Sequence, residues 1–214
     1  VDRIYIGHMP EGAEIALASI GICSPAFTAI TGFASLVGVG GAALMSISLG
    51  EKNRETAQQA MNNALLLFLF CSAIVTAALL VFRKPFLYLL GCSDAMYPTA
   101  SAYFTIYSLG TVAVICGTGL NRFIMGQGCA RQGMLSVVIG ALLNIALDPI
   151  FIYALHMGVA GAALATVLSQ FGVLVYVLAV LSRPDMTIHI GFGGYSAALC
   201  KKILSIGSMP FFIV

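Results

Sequence analysis

From Gln132 to Ser182 the sequence carries a single formally charged residue, Asp148. A stretch so long and so apolar is fit for two crossings of a bilayer, since one helical span needs about 20 mainly apolar residues to cover a hydrocarbon core about 30 Å thick. Charge-free runs of this kind recur at Ile15 to Gly50, Ala57 to Phe82, Ala95 to Asn121, Gln132 to Leu147 with its continuation, and Val159 to Ser182. Backbone amides cannot stay unpaired in lipid, so spans are helices or strands of a closed barrel. These runs are too long and too evenly apolar for barrel strands, which alternate over about ten residues. An all-α membrane protein with five full spans is expected. The composition agrees: 8% charged residues stands against roughly 25% in soluble domains, and the mean hydropathy is +1.01.

The same numbers narrow the partners. A net charge of +2, with no Lys/Arg cluster along any segment, gives no footprint for nucleic acid. The six cysteines (Cys23, Cys71, Cys92, Cys116, Cys129 and Cys200) form no CxxC pair and no metal-ligand spacing; they read as small buried hydrophobes. His8, His156 and His189 stand at span ends or in loops without partners at ligand spacing, and no nucleophilic triad is visible, so no enzyme activity is expected. The opening VDRIYIGHMPEGAEI lacks the basic and apolar regions of a signal peptide and reads as the end of a helix, while CKKILSIGSMPFFIV reads as the start of another. A fragment of a longer protein is expected.

Punctuation falls between the spans: LGEKNRETAQQ near Glu51, RKPFLYLLGCSDAMYP from Arg83, NRFIMGQGCARQG from Asn121, HMGVAG from His156 and SRPDMTIHIGFGGYS from Ser182. Connections this short join antiparallel neighbours. Taking alternate connections together, Lys52, Arg54, Arg122, Arg131, Arg183, Lys201 and Lys202 oppose Arg3, Arg83 and Lys84. The positive-inside rule then places the Glu51, Asn121 and Ser182 loops in the cytoplasm. GVGGAALMS from Gly38 and GVAGAALAT from Gly158 supply small residues that let helix backbones approach closely.

An ionised Asp at the centre of a membrane helix costs roughly 2.5 to 3.5 kcal/mol, so Asp148 marks an ion pathway, a proton relay or a ligand counter-charge. Asn144 lies four residues earlier, on the same helical face. Pro149 follows directly and cannot donate to the carbonyl of Ile145, which predicts a kink beside the carboxylate. A carboxylate, an amide oxygen and a freed carbonyl suit a hard cation. They suit a proton equally, because either relieves the desolvation penalty on the charged acid. In the next span Thr166 and Gln170, again four apart, can face the same cavity. Each has a plainer alternative: Thr166 bonding a carbonyl of its own helix, Asn144 and Gln170 making interhelical packing bonds, and Asp2 forming a solvated pair with Arg3.

LNIALDPIFIYALHMGVAGAALATVLSQ, Leu143 to Gln170, together with VDRIYIG at the start, GEKNRETAQQA after the second span and NRFIMGQG after the fourth, resembles the multidrug and toxic compound extrusion (MATE) family. The resemblance covers essentially the whole chain. It implies the amino-terminal six-helix lobe of a twelve-helix transporter: a truncated first helix, five full spans and the start of a seventh. The implied division is residues 1–182 for the lobe, 183–195 for a cytoplasmic inter-lobe loop and 196–214 for the start of helix 7 of the second lobe. It implies cation-coupled export of organic, cationic compounds by alternating access, from a multi-pass position in the plasma membrane, the bacterial inner membrane. Na⁺ or H⁺ is then the coupling ion and no other cofactor is called for. Residue by residue, the family's cation site falls on Asp2, Asn144, Asp148 and Thr166, with Na⁺ as one candidate for those ligands. The partners implied are a small organic substrate, membrane lipid and the second lobe of the same chain. Three alternatives are a flippase of lipid-linked precursors from the same superfamily, a non-transporting membrane scaffold, and an intramembrane aspartyl protease. The last would use Asp2 and Asp148 as its dyad, although Asp148 stands in IALDPI rather than the GxGD of such enzymes.

Overall fold

A computed structural model describes residues 2–8 and 13–211, and among these residues there is no β-strand. The helices are α1 (Asp2–Gly7), α2 (Ala13–Gly50), α3 (Arg54–Val81), α4 (Arg83–Leu89), α5 (Tyr97–Leu109), α6 (Thr111–Gly126), α7 (Ala130–Pro149), α8 (Gly158–Leu181) and α9 (Ala197–Phe211). A π-helical turn, Ile150–Ala154, extends α7. Four units are long and apolar enough to cross a membrane: α2, α3, α7 with its π turn, and α8. The fifth span is α5 with α6, two helices bent by 48°. The chain is thus an all-α, multi-pass membrane protein, and the five apolar runs of the sequence correspond to these five units. The loops differ from expectation at two places. The segment from Arg83 contains the short helix α4, and the connection from Asn121 begins only after Gly126, because a single Arg122 at the end of an apolar run does not stop a helix.

The joint in the fifth span is at Gly110. A Cβ there would lie 2.4 Å from Cγ2 of Val167, so α8 occupies the room that a side chain would need. The hydroxyl of Thr76 donates to the carbonyl of Ser108 at the same level, 3.4 Å away.

After Pro149 the helix keeps going, with a wider winding. Leu155 N–H bonds the carbonyl of Ile150 and Met157 N–H that of Phe151. The proline, which cannot donate an amide, is followed here by a change of winding rather than by a break in the span. Gly161 packs its backbone on this turn: a Cβ there would be 2.6 Å from the Phe151 carbonyl.

Two apolar clusters form the interior. One joins the second half of α2 with α3, α6, the end of α8 and α9; the other joins α1, the first half of α2, α4, α5 and the start of α8. Phe27 and Tyr107 pack against both. Small residues permit the tight helix contacts, as their spacing suggested. Gly41 abuts Phe123 and Ala64, and the α2–α9 crossing is backbone on backbone, since a Cβ on Gly40 would lie 2.0 Å from the Ile203 carbonyl oxygen.

The irregular segment between α8 and α9 is strapped down by side-chain amides. Gln127 donates to the carbonyl of Ile188 at 3.2 Å and accepts from its N–H at 2.8 Å. Gln58 does the same with His189. Asn62 donates to the Gly193 carbonyl, and Asn63, fully buried, donates to the Gly194 carbonyl while accepting from Ser196 N–H.

Candidate functional site

Asp148 is fully buried. Its neighbour four residues earlier does what the spacing predicts: Asn144 Nδ2 donates to Asp148 Oδ1 at 3.3 Å and to Thr166 Oγ1 at 3.3 Å. The Thr166 hydroxyl in turn donates to Oδ2 of Asp2 at 2.8 Å. Asp2, Asn144, Asp148 and Thr166 therefore form one chain of contacts across α1, α7 and α8. Thr166 spends its hydroxyl proton on Asp2 rather than on its own helix, and Asp2 is not held in a pair with Arg3, so for these two residues the plainer alternatives are not realised. Oδ2 of Asp148 is buried and has no hydrogen-bond partner among the described residues. An ionised carboxylate with one amide donor and one orphan oxygen is under-satisfied, and a buried unsatisfied charged group is costly. A cation or proton delivered to that oxygen would relieve the cost.

α1 has only six residues, yet it is held in place. Ile6 is fully buried, and the hydroxyl of Tyr153, carried on the π turn, donates to the carbonyl of Tyr5. The two tyrosine rings meet edge to face, 6.4 Å between centroids. The winding after Pro149 thus positions the side chain that fixes α1, and with it Asp2.

A cavity of about 610 Å³ opens beside this cluster, lined among others by Asp2, Asn144, Thr166 and Gln170. Gln170 takes the cavity-facing position expected of it. Asp148 does not line the cavity; Asn144 and Thr166 do, and Asp148 lies behind them. Sequence reasoning missed the opposite wall. Tyr103 donates to Asp2 Oδ2 at 3.4 Å, and Phe27, Tyr103 and Tyr107 build an aromatic shelf, with Phe27 and Tyr107 centroids 3.8 Å apart and Tyr103 and Tyr107 stacked at 6.3 Å. Only the helical interval of Tyr103 and Tyr107 within an apolar run hinted at this, and that pattern is shared with any core helix. Arg3 also lines the cavity, bonded to Ser24 Oγ at 2.7 Å.

The MatE family model matches residues 1–150. Multidrug export protein MepA of Staphylococcus haemolyticus (strain JCSC1435) is 28% identical over 212 residues, covering 98% of this chain and 46% of that protein. DNA damage-inducible protein F of Escherichia coli (strain K12) is 28% identical over 178 residues, covering 81% of this chain and 38% of that protein. Among solved structures, a multidrug resistance MATE family transporter of the MOP superfamily matches in an inward-facing conformation with a TM-score of 0.89 at 30% identity, over 97% of this chain and 47% of that one. An outward-facing conformation matches with a TM-score of 0.90 at 28% identity, over 99% and 47%. The chain spans about half the length of the curated relatives it matches.

Proposed function

The chain belongs to the MatE family, and from that premise we propose that it forms the ion-coupling lobe of an antiporter in the bacterial inner membrane, one that exports organic cations in exchange for Na⁺ or H⁺. The observation that carries this reading is the buried Asp148 with an orphan oxygen, one contact away from Asn144 and through it from Thr166 and Asp2. Entry of the coupling ion neutralises charge in that cluster. For a proton, the Asn144 amide stays as it stands, its nitrogen toward the acid. For Na⁺, the amide turns to offer its oxygen, and the carboxylates with the Thr166 hydroxyl complete an oxygen set of the kind hard cations take. The membrane field assists entry, at about 2.3 kcal/mol per charge per 100 mV.

Alternating access then requires this lobe to move against a second one. The likeness to inward- and outward-facing transporters alike supports a lobe that keeps its shape while its surroundings change. A cavity lined by one acid and one base, rather than by several basic residues, speaks against a flippase of polyanionic lipid precursors.

The test is efflux of a fluorescent cation from vesicles carrying the full-length protein, under an imposed Na⁺ or pH gradient. Asp148→Asn is expected to abolish the gradient-dependent component, and the gradient that drives wild-type efflux identifies the ion. Undiminished coupled efflux from Asp148→Asn refutes the assignment.

A further inference from the structure

Two links join α7 and its π turn to α1. One is the relay of side chains from Asp148 through Asn144 and Thr166 to Asp2, and it contains both acids. The other runs through Tyr153, whose hydroxyl donates to the Tyr5 carbonyl and, among the described residues, to no carboxylate. Tyr5 stands three residues after Asp2, one turn further along the same side of α1. The second link depends on the winding. In a regular α-helix the residue five positions after Asp148 points about 140° away from it. The turn after Pro149 instead bonds residues five apart, Leu155 N–H to the Ile150 carbonyl, and this wider winding reduces the rotation and brings Tyr153 round to α1. Tyr153 does not line the cavity, so it acts on what the cavity holds only through α1.

We propose that Tyr153 is a positioning residue for the acid cluster: it seats α1 so that Asp2 meets Thr166, and thereby sets the affinity for the coupling ion, whose existence rests on the antiporter reading. A helix of six residues is too short to hold itself, so Asp2 stands beside Thr166 only while the attachments of α1 keep it there. Apparent affinity falls with the fraction of time that the binding arrangement is present, and a residue that bonds neither acid can set that fraction. The π turn gives the arrangement its place in the sequence. Such turns inside α-helices are rare and gather at functional sites, and this one follows the buried acid and its proline directly.

The test uses the full-length protein and Tyr153→Phe, which keeps the ring that meets Tyr5 edge to face and leaves the Tyr5 carbonyl its bond from His8 N–H. In gradient-driven efflux the half-saturating concentration of the driving ion should rise about fivefold, the scale of one neutral hydrogen bond, with the maximal rate within about twofold of wild type. A merely structural loss would lower the maximal rate and leave half-saturation in place. The second measurement is a double-mutant cycle of Tyr153→Phe with Thr166→Val, read on the thermal midpoint without any ion gradient. Among the described residues no hydrogen bond joins these two side chains, so as independent sites their losses would add. If Tyr153 seats Asp2 on Thr166, the combined loss should fall clearly short of the sum, because the first substitution already weakens the bond that the second removes. An unmoved half-saturation in Tyr153→Phe, or losses that simply add, overturns the proposal. The cycle needs no transport, so a wild type in which no gradient drives efflux counts against the antiporter, and the cycle then decides the seating of Asp2.

Discussion

Asn63 is the residue on which the strap between α8 and α9 most depends. Its amide donates to the Gly194 carbonyl at 3.0 Å and to the Gln59 carbonyl at 2.7 Å, while its oxygen accepts from Ser196 N–H at 2.9 Å and from the Cys200 thiol at 3.3 Å. In Asn63→Ala the Gln59 carbonyl keeps its helical partner, and the thiol bond is weak. The loss therefore falls on two part-buried backbone groups of the strap, each costing about 1 kcal/mol when left unpaired, the low end of the range for buried groups. Together they come to about 2 kcal/mol. Every 1.4 kcal/mol is a factor of ten, so local opening of the strap becomes about 30-fold more frequent. Hydrogen exchange at the Ser196 amide of the full-length protein reads that opening directly, and Asn62→Ala, which removes a single bond to Gly193, should raise exchange there far less. Exchange at Ser196 less than threefold faster in a folded Asn63→Ala protein would refute the reasoning and shift the credit to the packing of α9 on α2.

The remaining predictions concern the joint of the fifth span and the connection before it. Gly110→Ala places a methyl 2.4 Å from a Val167 methyl, and overpacking of this kind costs about 1 to 3 kcal/mol; the thermal midpoint should fall, and Val167→Ala in the same protein should restore part of it. Outside the spans, the hydroxyl of Tyr88 donates to Asp94 at 2.7 Å, and that bond pushes the phenol up to about 12. Since the folded value is raised, the contact's contribution is complete below the ordinary tyrosine value of about 10 and fades as pH climbs through about 12. A difference titration of tyrosinate absorbance between the protein and its Tyr88→Phe variant should therefore give a midpoint near 12, lowered by Asp94→Asn; an unmoved midpoint would remove the bond as the cause.

What could be read beforehand followed from rules that act locally. Asp148 stood out because an acid in an apolar run is expensive, and Asn144 because a four-residue interval fixes a shared helical face; its contact with Asp148 is that interval made spatial, whereas its contact with Thr166 is made between α7 and α8. Tyr103 was invisible for the opposite reason. A tyrosine in an apolar span is ordinary, and only the tertiary approach of α1 turns its hydroxyl toward Asp2. The bend at Gly110 was hidden likewise, because a glycine in a membrane run marks close packing as often as a break, and the deciding partner, Val167, comes from a helix far along the chain. The strap escaped notice since Gln58, Asn62, Asn63 and Gln127 look like ordinary polar residues near span ends until the segment they hold arrives.

The arrangement of α1 ties the acid cluster to α2. This helix has six residues, too few to bend internally, and its placement rests on Ile6 in the interior, the Tyr153 hydroxyl on the Tyr5 carbonyl, the Arg3 guanidinium on Ser24, and the Asp2 carboxylate on Thr166 and Tyr103. Only the last of these belongs to the acid cluster, so it is the one that the proposed entry of an ion would change. When the charge on the cluster changes, the bonds from Thr166 and Tyr103 to Asp2 change strength with it, because hydrogen bonds to an ionised acceptor are roughly twice as strong as those to a neutral one. A short rigid helix cannot shift at Asp2 and stay fixed at the next position, so Arg3 and its hold on Ser24 move as well. Under the proposed ion coupling, a change at Asp2 is therefore passed through one helical turn to Arg3 and Ser24, with no contact needed between the ion and α2.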